Sequence, residues 1–174
     1  DVWECTTQGA GGLIVRYNFE GNVQDSSGNT YHGTLAEGTL DYIEGVVDNN
    51  AADFSGDDYI AMPLSTVNWA YKEITIAFWR KCTSAITGTS KMRVCNARDK
   101  AAATEWNPIA ISAPFDDNNY WILTPGSGVN SLQGSGATAS IYNDGEWAHW
   151  IYSASDLGNF MRIYKDGEII ASRQ

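Results

Sequence analysis

The sequence predicts an all-β protein, an antiparallel β-sandwich or jelly roll. No long segment repeats apolar residues at helical spacing, whereas short alternating or aromatic-rich runs recur along the chain. Each run is bounded by Gly, Asn, Asp, Ser or Pro, which favour turns. The composition agrees, because 17 Gly, 9 Tyr and 7 Trp accompany only 18% charged residues, a mixture typical of strands joined by many turns.

Nine segments are predicted as strands. In chain order they are residues 13–19, 58–62, 73–81, 91–98, 107–112, 119–124, 137–142, 147–154 and 159–172. The last contains Asp166-Gly167 between RIYK and EIIAS, and an Asp-Gly pair in that setting predicts a two-residue hairpin turn. No change of composition divides the chain, so residues 1–174 are predicted to form one domain.

Two of these strands have one apolar face and a second face of mixed character, because side chains alternate along a strand. The apolar face of 73–81 consists of Ile74, Ile76 and Phe78, and the other face carries Thr75, Ala77, Trp79 and Lys81. In 147–154, Trp150, Tyr152 and Ala154 lie opposite Trp147, His149 and Ile151. A partly polar face with aromatics suits a sugar-binding concavity, although an ordinary edge of the core has the same pattern.

The charge disfavours two classes of partner. Eleven Lys and Arg against 21 Asp and Glu give a net charge of −10 and a pI near 4.4, which opposes binding to nucleic-acid phosphates and anionic lipid surfaces. No stretch approaches the roughly 20 apolar residues that span a bilayer. The start, DVWECTTQGAGG, lacks the basic and apolar parts of a signal peptide, so a secreted protein would be represented by its mature form or by an isolated module.

The three cysteines show no zinc-type spacing. A hairpin centred near Thr87 and Gly88 would bring Cys82 opposite Cys95, and a disulfide there would add about 3 kcal/mol in the chain-entropy model. Two reduced thiols are the alternative. Cys5 would then be free or paired outside this chain.

Four stretches carry a resemblance to a known family. They are GLIVRYNFEGNVQDSSGNTYHGTL, GVVDNNAADFSGDDYIAMP, EITIAFWRK and DGEWAHWIYSASDLGNFMRIYKDGEIIAS. In this order they resemble laminin-G-like, concanavalin A-like jelly-roll domains of secreted bacterial proteins, particularly those attached to polysaccharide-degrading enzymes. The resemblance spans about residues 12 to 172, with a loose middle from 83 to 139. It implies an extracellular, monomeric module with an appended catalytic domain, although such folds also serve as adhesion domains and spacers.

The loop FEGNVQDSSGNTYHGT, residues 19–34, is rich in oxygen ligands and glycine. Calcium takes six to eight oxygens in flexible geometry, and the resemblance implies a structural calcium near such a loop. The expected ligands are Asp25 first, then Asn22, Asn29 and the backbone carbonyl of His32, with Asp156 or Asp166 as contributors from the far end of the chain. The alternative is an Asx-turn, in which Asp25 and Asn29 cap their own backbone and Gly28 supplies the left-handed residue.

The residues favour binding over catalysis. Glycoside hydrolases of similar fold place paired carboxylates on one strand, and no E-x-D-x-E, G-x-S-x-G, H-E-x-x-H or Walker-type motif occurs. The chain is therefore expected not to be an enzyme.

A polysaccharide or oligosaccharide is the expected ligand, because sugar rings stack on Trp and Tyr while their hydroxyls bond to polar side chains. The site is predicted either on the sheet face, at Trp79, Trp147 and His149, or on a loop rim, at Arg98, Trp106, Asn118, Tyr120 and Trp121. The alternative function is a laminin-G-like protein-interaction or adhesion domain without a glycan ligand.

Overall fold

The computed structural model describes residues 3–6, 12–54, 58–63, 73–82, 93–97, 109–115, 118–123, 130–133, 145–155 and 158–174. In these residues the strands are β1 (Trp3–Thr6), β2 (Leu13–Tyr17), β3 (Thr34–Glu37), β4 (Asp41–Glu44), β5 (Asn50–Asp53), β6 (Tyr59–Ala61), β7 (Glu73–Arg80), β8 (Arg93–Ala97), β9 (Ile109–Phe115), β10 (Asn118–Leu123), β11 (Asn130–Gln133), β12 (Ala148–Ser155), β13 (Phe160–Lys165) and β14 (Glu168–Arg173). These ranges contain strands and turns but no helix, and therefore no helix that could cross a bilayer. The all-β prediction is confirmed.

The sequence located most of these strands but not all of them. Eight of the nine predicted segments overlap β2, β6, β7, β8, β9, β10, β12 and the β13–β14 pair, and the ninth, 137–142, lies outside the described residues. The strands that the sequence did not predict are β1, β3, β4, β5 and β11.

The chain divides into two compact units, and the prediction of a single domain stays a prediction. The first unit comprises residues 1–80 and 149–159. In it the strand order is β12-β7-β1-β2, with β1 antiparallel to both β2 and β7, and β3–β6 and β4–β5 form separate antiparallel pairs.

The second unit comprises residues 81–148 and 160–174. It contains an antiparallel sheet in the order β11-β10-β9-β8 and the β13–β14 hairpin. Asp166 and Gly167 form the hairpin turn with φ of 51° and 88°, and Lys165 pairs with Glu168. Positive φ at both central residues is the signature of a type I′ turn, so the predicted hairpin is confirmed.

The predicted core faces of β7 and β12 are confirmed in the first unit. Along β7 buried residues alternate with half-buried ones, and the buried set is Ile74, Ile76 and Phe78. Along β12 the buried set includes Trp150, Tyr152 and Ala154. The rings of Phe78 and Tyr152 stack with their centroids 5.8 Å apart, so aromatic contact joins the two strands on the core face.

The hairpin expected between the segments 73–81 and 91–98 is not found among the described residues, because β7 pairs with β1 whereas β8 pairs with β9. Cys82 is buried, and its carbonyl oxygen accepts a hydrogen bond from the N–H of Gly145 at 3.1 Å. Cys95 pairs with Ile111 in the backbone ladder, and its side chain lies outside the described part of the chain. The disulfide therefore stays a prediction.

Candidate functional site

The loop between β2 and β3 is tied back onto β2 rather than slack. Tyr17 and Asp25 form an isolated antiparallel bridge, and the N–H of Ser26 donates to the carbonyl oxygen of Arg16 at 2.8 Å. Farther along, the N–H of Gly33 donates to the carbonyl oxygen of Val23 at 2.8 Å. These bonds fold the loop into a fixed shape beside the strand that precedes it.

The carboxylate of Asp25 is the centre of this loop. Its Oδ1 accepts the N–H groups of Arg16 at 3.0 Å and of Ser27 at 2.8 Å. Its Oδ2 accepts the hydroxyl of Ser27 at 2.8 Å and the N–H of Tyr31 at 2.9 Å. Each oxygen thus accepts two hydrogen bonds, which uses its two lone pairs, and the side chain is 8% exposed.

The electrostatics of Asp25 follow from these contacts. Burial by itself raises the pKa of the carboxyl, but the hydrogen bonds from Arg16, Ser27 and Tyr31 outweigh burial and hold the pKa below its ordinary value. The buried hydroxyl of Tyr17 donates to the carbonyl oxygen of Tyr31. Burial, together with the negative charge of Asp25, raises the pKa of Tyr17. The loop is therefore built around an ionised carboxylate and a neutral phenol.

The other predicted calcium ligands of the loop are also bonded within it. Asn22 accepts the N–H of Gln24 at 2.9 Å and donates to the carbonyl oxygen of Glu20 at 3.0 Å. Asn29 donates its amide to the carbonyl oxygens of Leu13 and Ile14. His32 accepts the N–H of Asp25 at its Nδ1, at 3.1 Å. The expected ligand was the backbone carbonyl of His32, and that role stays a prediction.

The two acidic residues expected from the far end of the chain stay predictions as calcium ligands. Asp166 occupies the hairpin turn of the second unit, and Asp156 lies outside the described residues. No group of three His, Cys, Asp or Glu side chains able to hold a metal occurs in the described part of the chain.

The hydrogen bonds around Asp25 are those of an Asx-turn. N–H and O–H groups already bond to the carboxylate lone pairs that a cation would need. A calcium ion would have to displace the donors of Arg16, Ser27 or Tyr31. With these donors in place, neither oxygen of Asp25 has a free lone pair for calcium. Calcium binding itself stays a prediction, and its test is given below.

The sheet face predicted to bind sugar brings Trp79 and His149 together. Three cross-strand contacts set the alignment of β7 with β12: the Ser155 hydroxyl bonds to Glu73 at 2.7 Å, Thr75 Oγ1 lies 3.1 Å from Ser153 Oγ, and the rings of Trp79 and His149 stack. The ring centroids are 5.0 Å apart and the planes differ by 27°. Both rings are half-buried, so this face carries a partly exposed aromatic pair.

The described residues do not show a site that contains the remaining predicted sugar contacts. Trp147 is half-buried immediately before β12. Arg98 and Trp106 lie outside the described residues. Asn118, Tyr120 and Trp121 belong to β10, whose backbone pairs with β9 and β11, and their side chains are outside the described part. The loop-rim alternative therefore stays a prediction.

A cleft that the sequence analysis did not identify lies beside the Asp25 loop. It has a volume of about 500 Å³, and its lining includes Val23, Gln24, His32, Leu35, Leu40 and Tyr42. The only sequence signal was the alternation within TLAEGTLDYIE, residues 34–44, which contains β3 and β4. Two four-residue strands gave too short a pattern to recognise.

Comparison of this chain with models of protein families found no match, and a search of curated proteins likewise found none.

Proposed function

We propose that this chain is a non-catalytic carbohydrate-binding module that holds a polysaccharide against the Trp79 and His149 face of its sheet. The observation that carries the proposal is the stacked, partly exposed Trp79–His149 pair on a face that also carries the hydroxyl groups of Thr75 and Ser153. The resemblance to laminin-G-like jelly-roll domains supports a β-sandwich, an extracellular location and attachment to a polysaccharide-active enzyme.

An indole ring is a suitable platform because the apolar C–H face of a pyranose stacks on it. His149 packs against the indole at 5.0 Å between centroids, which holds the Trp79 ring in place before any ligand arrives. A platform that is already ordered loses less conformational entropy on binding. The pair is therefore arranged for stacking.

The same face offers hydroxyl groups beyond the aromatic pair. Thr75 and Ser153 lie opposite each other with their oxygens 3.1 Å apart. Thr75 is four residues from Trp79 along β7, which corresponds to about 13 Å in an extended strand. A sugar chain following the strand would meet an aromatic surface at one end and hydroxyl groups at the other.

The chemistry of this face supports binding rather than hydrolysis. Glycoside hydrolysis uses two carboxyl groups flanking one bond. Glu73 is the one acidic residue among the described half-buried positions of β7 and β12, and it accepts the hydroxyl of Ser155. A single carboxylate bonded in this way does not supply the pair.

The proposal is tested by affinity electrophoresis of the purified protein against neutral and anionic plant and algal polysaccharides. We expect retention on one glycan class, and we expect Trp79→Ala to weaken it at least about fivefold, because stacking of a ring on an aromatic side chain contributes roughly 1–3 kcal/mol. Tyr59→Ala is the matched control, since Tyr59 is an aromatic residue that is 50% exposed on β6.

Two results would overturn parts of the proposal. Retention that survives both Trp79→Ala and His149→Ala would remove the sheet face as the site. Retention on no glycan would remove the carbohydrate-binding function and leave the adhesion-domain alternative.

A further inference from the structure

We propose that the cleft beside the Asp25 loop is a second sugar subsite that takes one neutral pyranose ring. The ligand class rests on the proposed function, whereas the site is separate from the Trp79 and His149 face. The cleft measures about 500 Å³, within the range of small-molecule sites.

The shape of the cleft is set by close packing of the loop. A Cβ atom placed on Gly33 would lie 2.6 Å from Cγ2 of Ile60 and 3.1 Å from the carbonyl oxygen of Val23. The backbone at Gly33 therefore lies directly against β6. Gly33 is also bonded to Val23, and Asp25 to His32, within the same loop. These contacts hold the cleft wall in one position before a ligand binds.

The lining combines an apolar surface with polar edges. Val23, Leu35 and Leu40 supply the apolar part, and Tyr42 adds a half-buried aromatic ring. Burial raises the pKa of Tyr42, so its phenol is a neutral hydroxyl. An apolar surface with an aromatic ring and hydrogen-bonding groups is the combination that a sugar ring requires.

The polar edge is oriented by the same loop that Asp25 organises. The N–H of Asp25 donates to Nδ1 of His32, so the proton of a neutral imidazole lies on Nε2, which can then donate to a ligand. The backbone of Gln24 is held by the side chain of Asn22 at 2.9 Å, and the Gln24 side chain lines the cleft and is exposed. These two side chains supply a donor and an amide at the rim.

The charge around the cleft selects a neutral ligand. No Lys, Arg, Asp or Glu is among the described residues that line it, and the whole chain carries a net charge of −10. A uronic acid or sulfated sugar would therefore find no cation to bind its anionic group and would be repelled by the protein.

The two histidines of the chain allow the two sites to be observed separately. His32 lines the cleft and His149 stacks on Trp79, and the sequence contains only these two. Their imidazole signals in a heteronuclear NMR spectrum are assigned with His32→Gln and His149→Gln. The wild-type protein is then titrated with glucose, galactose, mannose and, as the anionic probe, galacturonate.

We expect a neutral hexose to shift the His32 signals in a saturable manner, in the wild type and equally in Trp79→Ala. Gln24→Ala should weaken the apparent affinity roughly fivefold, as loss of one neutral hydrogen bond does. Thr34→Ala is the matched control, because Thr34 is exposed next to Gly33 and does not line the cleft.

The inference is overturned if no neutral hexose moves the His32 signals, if galacturonate alone moves them, or if Gln24→Ala binds as tightly as the wild type. Failure of the proposed function would appear separately, as the absence of any glycan effect on the His149 signals.

Discussion

Asp25 shows how one carboxylate can order a loop through hydrogen bonds. Its four hydrogen bonds come from residues on both sides of it in the chain, Arg16 before it and Ser27 and Tyr31 after it. Three of the four donors are backbone N–H groups, and leaving a buried N–H without a partner is costly. The sequence predicted Asp25 as the central residue of the loop but left its role open between calcium ligand and Asx-turn.

We expect Asp25→Asn to lower the free energy of unfolding by on the order of 3 kcal/mol, as loss of hydrogen bonds to a buried charged group does. The substitution places an NH₂ group where Ser27 and Tyr31 now donate. Urea unfolding at neutral pH measures the change. Asp53→Asn is the matched control, because Asp53 is an exposed carboxylate on β5, and an equal loss in both variants would contradict this role of Asp25.

The same residue gives a pH dependence with a defined sign. The folded-state pKa of Asp25 is lowered. Its contribution to the free energy of unfolding is therefore fully present above the unfolded-state pKa of about 3.9, and it is lost as the pH falls through the folded-state pKa. Wild type and Asp25→Asn should therefore approach each other in stability as the pH is lowered below about 4. A stability difference that stays constant into strong acid would contradict the ionised-carboxylate account.

At the scale of the strand, alternation predicted faces better than it predicted boundaries. β7 and β12 were recognised because eight residues of alternating character give a clear period of two. β1, β3, β4, β5 and β11 are four residues each, with the sequences WECT, TLAE, DYIE, NAAD and NSLQ. Segments that short and polar become strands because a partner strand accepts their hydrogen bonds, which local composition does not reveal.

The β13–β14 hairpin gives a test at this scale. Gly167 has a φ of 88°, where a Cβ atom is strained, so Gly167→Ala should lower the free energy of unfolding by about 1 kcal/mol. Gly12→Ala is the control, because Gly12 has open space around its Cβ position and no positive φ. Thermal unfolding of both variants measures the difference, and equal melting temperatures would contradict the type I′ assignment.

At the scale of the whole molecule, metal dependence is the property that distinguishes the two interpretations of the Asp25 loop. A ligand that binds only the folded state raises apparent stability in proportion to the logarithm of its concentration over Kd. Because the oxygens of Asp25 are occupied by donors, we expect the melting temperature to be the same in excess chelator and in millimolar calcium. Magnesium serves as the matched divalent control, and a rise with calcium alone would restore the metal site.

Local pattern determined those features of this protein that depend on neighbouring residues. The period of two along 73–81 predicted which side chains of β7 are buried, and the Asp166-Gly167 pair predicted a turn that both residues adopt. The excess of acidic residues set the net charge and the classes of partner that it disfavours. These properties follow from the backbone geometry and the composition of single segments, and they do not depend on contacts with distant residues.

Only the tertiary structure decided which distant groups meet. Trp79 and His149 are far apart in sequence and stack because β7 and β12 align in one register. The cleft exists because the loop packs against β6 and the two short strands that follow it. Register and packing depend on the whole set of strands that share a core, so no local segment contains enough information to specify them.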